Sequence, residues 1–201
     1  MEIKMKKIAI LCAVTLISFF ILGFLPVHGE EKIYDSVIRL HVLANSDSEE
    51  DQAIKLKVRD TVAALTDELT RACPDIDTAE KTLAENLELI RARAQETLTS
   101  LGCSHRVSVE LGRENYPRKS YDSICFPAGE YRSLRVLIGE ADGQNWWCVL
   151  FPQLCLGAAT AKQAEDAFIS VGFTPDQYKI ITETDEPRYK LRFKLLEIFG
   201  G

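Results

Sequence analysis

The chain has 201 residues, of which 46% are hydrophobic and 27% are charged, and these proportions exclude a disordered, collagenous or multi-span membrane protein. Residues 30–201 contain 21 basic and 29 acidic side chains, a net charge of −8. An acidic body argues against a nucleic-acid partner, because phosphate binding depends on Lys and Arg side chains.

The first 29 residues are predicted to direct export. Three lysines precede an uninterrupted apolar run over residues 8–25, and Val27 and Gly29 suit the third and first positions before a signal peptidase cut. Residues 1–29 are therefore a cleaved signal peptide or an uncleaved N-terminal membrane anchor. In either case the lysines keep the N-terminus in the cytoplasm, so the body lies outside the membrane.

A strand and two helices are predicted next. Residues 36–44 alternate, with Ile38, Leu40 and Val42 on one face and Arg39, His41 and Leu43 on the other, non-core face. Ser48 and Asp51 resemble a capping box that begins a helix. Asp77 with Glu80 predicts the start of a second helix of similar length, and the two should form an antiparallel hairpin.

The remainder of the body is predicted to be mainly β-structure. Gly102 should end the second helix in the left-handed conformation. Alternation predicts strands over 107–111, 134–138 and 145–151, with a further strand within 116–125. Asp142-Gly143 is a hairpin signal that would join the second of these strands to the third.

This order of elements predicts an α+β two-layer sandwich, in which an antiparallel helical hairpin packs on a mainly antiparallel sheet, with a small C-terminal appendage. The expected boundaries are residues 1–29 for the export segment, 33–155 for the α+β domain and 156–201 for the appendage.

The cysteines and the paired tryptophans leave alternatives open. Cys148 and Cys155 flank a segment in which Phe151-Pro152 could reverse the chain, so they are either a disulfide or two small buried side chains. Trp146 and Trp147 are adjacent on one strand, so their rings point to opposite faces. One ring is then exposed, or both faces of the sheet are covered.

No catalytic or metal-binding grouping is predicted. Cys148 with His41 or His105 could form a thiolate–imidazole pair, but no motif surrounds the cysteine, and its position alternates with apolar packing residues. No C-x-x-C pair or close Cys/His cluster is present for zinc.

Five strings of the sequence carry a resemblance to a known family. Residues 37–48, 51–60, 126–131, 134–140 and 145–155 closely resemble stage II sporulation protein R of endospore-forming bacteria. The resemblance covers residues 33–155, and the predicted export segment fits it as well.

The resemblance implies a signal and not an enzyme. Members of this family are made in the forespore and exported into the space between the septal membranes. There they activate a membrane-embedded aspartic protease of the mother cell, which removes the pro-sequence of the early mother-cell sigma factor. Neither a cofactor nor a small-molecule substrate is expected, and membrane contact would come from the N-terminal segment if it stays uncleaved.

The residues expected to contact this protease are those in the matched strings that core packing explains least. They are Arg39, His41, Asn45, Asp47, Arg59, Trp146 and Trp147.

Each of these residues also has a structural alternative. Asn45 and Asp47 would shape the turn before the first helix, and Arg59 would pair with a neighbouring acid. Two other functions stay open: an exported thiol enzyme that uses Cys148 or Cys155, and a cell-wall or septal binding module that uses the tryptophan pair.

Overall fold

The computed structural model describes residues 31–121, 124–155, 161–170 and 172–182, together with Lys7. The export segment, apart from Lys7, and much of the predicted appendage lie outside this description. Within the described ranges, no helix combines the length and apolar character that a membrane crossing requires. Residues Glu30–Thr184 form one compact unit, and its boundaries with the predicted flanking segments stay a prediction.

The long helices lie between the first strand and the remaining strands of the chain. In order, the elements are α1 Glu31–Tyr34, β1 Ile38–Leu43, α2 Glu49–Thr70, α3 Ile76–Glu85, α4 Leu87–Ser100, β2 Val107–Tyr116, β3 Lys119–Tyr121, β4 Ile124–Phe126, β5 Gly129–Ile138, β6 Asn145–Phe151, α5 Ala161–Ser170 and α6 Pro175–Thr182.

The first long helix begins as predicted. The backbone N–H of Asp51 donates to the Ser48 side chain at 3.1 Å, which satisfies one amide that the helix itself cannot bond. The second predicted helix is instead two helices that meet at Asn86, and its N-cap is Asp75 rather than Asp77. Asp77 pairs at 2.7 Å with Arg132 of the sheet, so its carboxylate stabilises the packing between layers. The predicted left-handed residue at the end of α4 is Gly102, with φ +74°.

The main sheet has the strand order β2-β5-β1-β6. β1 is parallel to β5 and antiparallel to β6, and β2 is antiparallel to β5. β3 and β4 form a separate antiparallel pair within the segment where one further strand was predicted. The predicted α+β sandwich with helices on a mainly antiparallel sheet is confirmed.

The predicted hairpin between β5 and β6 is wrong, because β1 lies between these two strands. The connection over residues 139–144 crosses the end of β1 instead of folding back on itself. The amide of Gly143 donates to the Ala44 carbonyl at 3.0 Å, and the amide of Gln144 donates to the Asp47 carboxylate at 2.8 Å. A two-residue turn signal reports local geometry and carries no information about a strand inserted from elsewhere in the chain.

Two apolar clusters pack on opposite faces of the sheet. The first lies beneath the helices and includes Leu40, Val58, Leu98 and Val136. The second lies on the opposite face and draws on α1, β3–β4, α5 and α6. Its buried members are Ile33, Val37, Tyr116, Ile124, Phe126, Tyr131, Val149, Phe168, Phe173, Tyr178 and Ile181.

The second cluster corrects one expectation about β1. Arg39 and His41 were predicted on a non-core side, yet their exposures are 0% and 5%. The prediction of a non-core side is wrong, because β1 is an inner strand and the second cluster covers part of its other face. Alternation identifies which residues share a face, but it does not reveal whether that face is covered.

Two glycines give a matched test of the connection that crosses β1. At Gly143 a Cβ atom would fall against the Ser46 carbonyl group, whereas at Gly112 nothing lies within 4 Å of that position. We expect Gly143→Ala to lower the free energy of unfolding by about 1–3 kcal/mol. Gly112→Ala should leave it unchanged or raise it by up to about 1 kcal/mol, because alanine restricts the unfolded chain. Equal effects in urea titrations of the two variants would contradict this packing.

Candidate functional site

The face of the sheet opposite the helices contains three rows of side chains that the strand register defines. The first row contains Ser108, Leu137, Leu43 and Asn145; the second contains Glu110, Arg135, His41 and Trp147; the third contains Gly112, Ser133, Arg39 and Val149. The second cluster covers the third row, and the first two rows reach the surface.

Arg39 lies in the covered third row among aromatic rings. Its Cζ is 4.2 Å from the ring centroid of Tyr116, 4.9 Å from that of Tyr131 and 5.1 Å from that of Phe126. Nη2 donates to the Tyr121 hydroxyl at 2.8 Å, and Nε donates to the Cys148 carbonyl at 3.4 Å. The guanidinium group therefore joins β1 to β6 and to the β3–β4 pair.

No carboxylate in the described ranges pairs with Arg39, and its Nη1 atom has no hydrogen-bond partner there. A buried charge is costly unless polar or aromatic groups replace its hydration. A desolvated cation–π contact contributes about 2 kcal/mol, so the surrounding rings offset much of this cost. Arg39 therefore acts as a packing residue in this structure, and its side chain does not reach the surface.

His41 lies in the second row, and both of its ring nitrogens have partners. Nδ1 is 2.8 Å from Oε1 of Glu114, and Nε2 is 2.7 Å from Oδ1 of Asn145. The imidazole ring also lies against Trp147, with 5.6 Å between the ring centroids. Neither nitrogen is available to take a proton from a substrate while these contacts persist.

Glu114 extends across the sheet from β2 to reach His41. Its Oε2 accepts a hydrogen bond from Ser133 at 3.0 Å, and the Ser133 hydroxyl is 2.7 Å from that of Tyr116. Burial raises the pKa of Tyr116 above its usual range, so its hydroxyl stays protonated.

Ser133, Glu114 and His41 do not have the geometry of a catalytic triad. The carboxylate lies between the serine and the histidine, whereas nucleophile activation requires the imidazole to contact the hydroxyl directly. The arrangement therefore holds strands β2, β5 and β1 together through polar side chains.

The first two rows leave an accessible patch, here called the open face, which comprises Leu43, Leu137 and Trp147 with the flanking residues Ser108, Glu110, Arg135 and Asn145. The three apolar side chains are half-buried, and Leu43 and Leu137 belong to neither apolar cluster. Arg135 pairs with Glu110 at 3.1 Å, and the Lys119 ammonium lies 5.4 Å from the centre of the Trp147 ring. Apolar side chains ringed by polar groups are typical of protein interfaces.

Asn45 and Asp47 lie in the loop after β1, away from Arg39. The Asn45 amide donates to the Asp51 carboxylate at 2.9 Å, and its Oδ1 accepts from the amide of Glu140 at 3.1 Å. Asp47 accepts from the amide of Gln144 at 2.8 Å. Both side chains thus bind the loop that precedes β6 and shape the end of the sheet.

Arg59 and Trp146 meet on the helical side of the sheet. Cζ of Arg59 lies 4.2 Å from the centroid of a Trp146 ring, and its Nη2 pairs with Asp60 at 2.6 Å. Because Trp147 lies on the other face, the seven candidate residues do not form one site. Three of them, Arg39, His41 and Trp147, lie on the same face of the sheet.

Cys148 and Cys155 are joined by a disulfide, with their Cα atoms 5.6 Å apart. The bridge holds residues 152–155 against β6, where the amide of Leu154 donates to the Val149 carbonyl at 3.2 Å. Neither sulfur carries a thiol in this structure. No group of three or more His, Cys, Asp or Glu residues suited to a metal ion occurs in the described ranges.

Comparison with known proteins identifies the family. The model of the family "Stage II sporulation protein R" matches residues 34–161, which is more than half of the chain. The chain belongs to the stage II sporulation protein R family. A relative of that name from Bacillus subtilis (strain 168) is 35% identical over 81% of this chain and 78% of its own length. No solved structure matches. The resemblance found in the sequence strings is therefore confirmed.

The sequence did not indicate the partners of His41 or the accessible leucines. Glu114 lies three residues after the predicted strand 107–111, and Ser133 lies one residue before the predicted strand 134–138. Neither residue stands in a motif. The pairing depends on strand order, which brings β2 and β1 to either side of β5. The sequence itself carried no local signal for this contact.

Two substitutions of Arg39 separate the contribution of its volume to stability from that of its charge. Arg39→Ala would leave a large cavity beneath four rings, so we expect the free energy of unfolding to fall by about 3 kcal/mol or more. Arg39→Met keeps most of the volume and removes the charge, so we expect a change within about 1 kcal/mol. Urea unfolding followed by tryptophan fluorescence measures both. A loss from the methionine variant as large as that from the alanine variant would mean that the charge itself is required.

The environment of Asp51 predicts that part of the protein's loss of stability in acid comes from this residue. Hydrogen bonds from Ser46 and Asn45 lower the pKa of this carboxyl group from its usual value of 3.8. The folded state thus favours the ionised carboxylate over the protonated form. This preference stabilises the protein at a pH above the usual pKa, and it is lost as the pH falls through the lowered pKa of the folded state. We expect Asp51→Asn to be less stable at neutral pH and to lose less stability between pH 5 and 2, about the range of carboxyl titration. Parallel pH profiles of the two proteins would contradict this.

Proposed function

We propose that this protein is an exported signal of sporulation that activates a membrane-embedded aspartic protease, which then removes the pro-sequence of a mother-cell sigma factor. The observation that carries the proposal is the family match over residues 34–161. This range includes the whole main sheet, the three long helices and every residue of the open face. The relative from Bacillus subtilis is likewise named for sporulation.

The location proposed for the protein is the space between the septal membranes, after synthesis in the forespore. The lysines and the apolar run at the N-terminus support export, and the disulfide is compatible with an oxidising space outside the cytoplasm. Whether the segment is cleaved or anchors the body, the open face would be presented outside the forespore membrane.

The chemistry around His41 and Cys148 favours a binding role over an enzymatic one. Both nitrogens of His41 are engaged, and the sulfur of Cys148 is bonded to that of Cys155. Trp146 packs beneath Arg59, which leaves Trp147 as the member of the pair at an accessible patch. These contacts favour a protein that acts as a ligand over a thiol enzyme. Because Trp146 and Trp147 lie on opposite faces of the sheet, they do not form one surface on which a glycan could stack.

A ligand activates a protease by binding its active arrangement more tightly than its inactive one. Moving the protease from about 1% to about 99% active requires a preference on the order of 10⁴-fold. The open face supplies apolar side chains for such binding, and the His41–Glu114 contact holds them at fixed positions on three strands. Stabilising a dimer of the protease would be one way to express this preference.

Reconstitution outside sporulation tests the function. The full chain would be co-expressed with a candidate membrane protease and its pro-sigma substrate in a non-sporulating host. We expect the shortened sigma factor only when all three proteins are present, as measured by immunoblot. Unprocessed substrate in cells that export a folded, disulfide-bonded chain would contradict the proposal.

Matched leucine substitutions test the role of the open face. Leu137 belongs to this patch, whereas Leu89 is 43% exposed on α4 in the helical layer. In the same assay we expect Leu137→Lys and Trp147→Ala to abolish or strongly reduce processing, and Leu89→Lys to leave it normal. Truncating a central interface tryptophan typically costs about 2 kcal/mol or more, or about thirtyfold in affinity. Normal processing by both open-face variants would contradict the placement of the binding surface.

A further inference from the structure

Strand β2 forms one edge of the main sheet over ten residues, Val107–Tyr116. The Arg106 carbonyl accepts from the amide of Gly139 on the β5 side, whereas the amide of Val107 donates to the side chain of Gln95. Because backbone groups alternate along an antiparallel strand, residues 109, 111, 113 and 115 direct theirs away from β5. No hydrogen bond from the described ranges reaches these outward groups.

An unpaired strand edge is usually protected by charged side chains that stand across it. The three charged residues of β2 do not act in this way. Glu110 pairs with Arg135 and Glu114 pairs with His41, both inward over the sheet, and Arg113 pairs with Asp35 at 2.6 Å. Gly112, in the middle of the edge, has open space where a side chain would stand. Residues 108, 110, 112, 113 and 115 are exposed, so this edge is accessible to another chain.

We propose that the edge of β2 accepts an extended segment of the activated protease as a fifth strand of the main sheet. A row of outward amide and carbonyl groups is complementary to a β-strand and to no other regular element. The open face begins at this edge, since Ser108 and Glu110 belong to both, so one partner can cover the two surfaces together. This inference rests on the proposed function and specifies how the protease is bound.

The side chains beside the edge define the sequence of the incoming strand. On the helical side, Val109 and Leu111 are half-buried and pack against the first cluster, so this side favours apolar residues. On the opposite side, Ser108, Glu110 and Gly112 are exposed, so this side favours polar residues. The partner strand is therefore expected to alternate apolar and polar side chains.

A second copy of this chain is a poorer occupant. In the register that pairs residue 109 of one copy with residue 115 of the other, Glu110 would face Glu114 at two places. Like charges directly opposite each other destabilise a pair of strands. The charges of β2 thus disfavour a second copy in the register that would pair all four outward residues of both copies.

Hydrogen exchange at single-amide resolution tests the inference. The full chain is measured in detergent, first alone and then with the membrane protease. Processing of the pro-sigma substrate is followed in the same mixture. In the free protein we expect fast exchange at residues 109, 111, 113 and 115 and slow exchange at the inward residues 108, 110, 112 and 114. With the protease, exchange at the outward amides should slow by at least about tenfold, and the inward amides serve as the internal control.

Each other result overturns the inference in a distinguishable way. Processing that occurs without new protection of the outward amides would refute strand addition and leave the proposed function standing. Protection that develops in the free chain as its concentration rises would assign the edge to a second copy. Absence of both processing and binding would contradict the proposed function and this inference together.

Discussion

Arg39 places a guanidinium group on an inner strand of the sheet, and aromatic rings from β2, β3, β4 and β5 close over it. This contact joins the main sheet to a second layer that the helical hairpin does not supply. The layer also includes α5 and α6, which contribute Phe168 and Tyr178 to the same cluster. Through its hydrogen bond to Tyr121, Arg39 adds a polar contact to the apolar packing between the β3–β4 pair and the sheet.

The extent of the second layer determines which part of the sheet can bind a partner. The second layer covers the row of Arg39 and ends at the row of His41. Trp147, in the row of His41, is half-buried at the border of the layer. Polar contacts fix the exposed rows: Glu114 reaches His41, and Arg135 reaches Glu110. These contacts restrain the side chains around the open face, and such restraint would reduce the entropy lost on binding. On the opposite side of the sheet the helices bury Ile38, Leu40 and Val42 of β1 completely. Strand β1 therefore contributes to the core on both of its faces.

The local elements were predictable because their causes lie within a few residues. Ser48 caps α2 through the amide three residues later, and Gly102 adopts the left-handed conformation that ends α4. The strand alternation likewise separated Trp146 from Trp147 correctly. The order of the strands was not predictable in this way: the Asp142-Gly143 turn signal suggested adjacent strands, whereas β1 from the start of the body lies between them.

The candidate site residues were likewise predictable only in part. Family resemblance selected Arg39, His41 and Trp147, which share a face, but also Asn45 and Asp47, whose side chains shape a loop. Exposure could not be read from the pattern, because it depends on a layer built from residues more than 70 positions later, such as Tyr116 and Phe126. Leu43 was predicted to share the face of Arg39 and His41. Neither it nor Leu137 became a candidate, because the candidates were the residues that core packing explains least.

We propose that the protease binds the sheet surface that the second layer leaves uncovered. A cryo-EM structure of the full chain bound to the membrane protease tests this most directly. The account predicts protease density over Leu43, Leu137 and Trp147, with the α2–α4 surface left free. Density against the helices, with the open face still exposed to solvent, would contradict it.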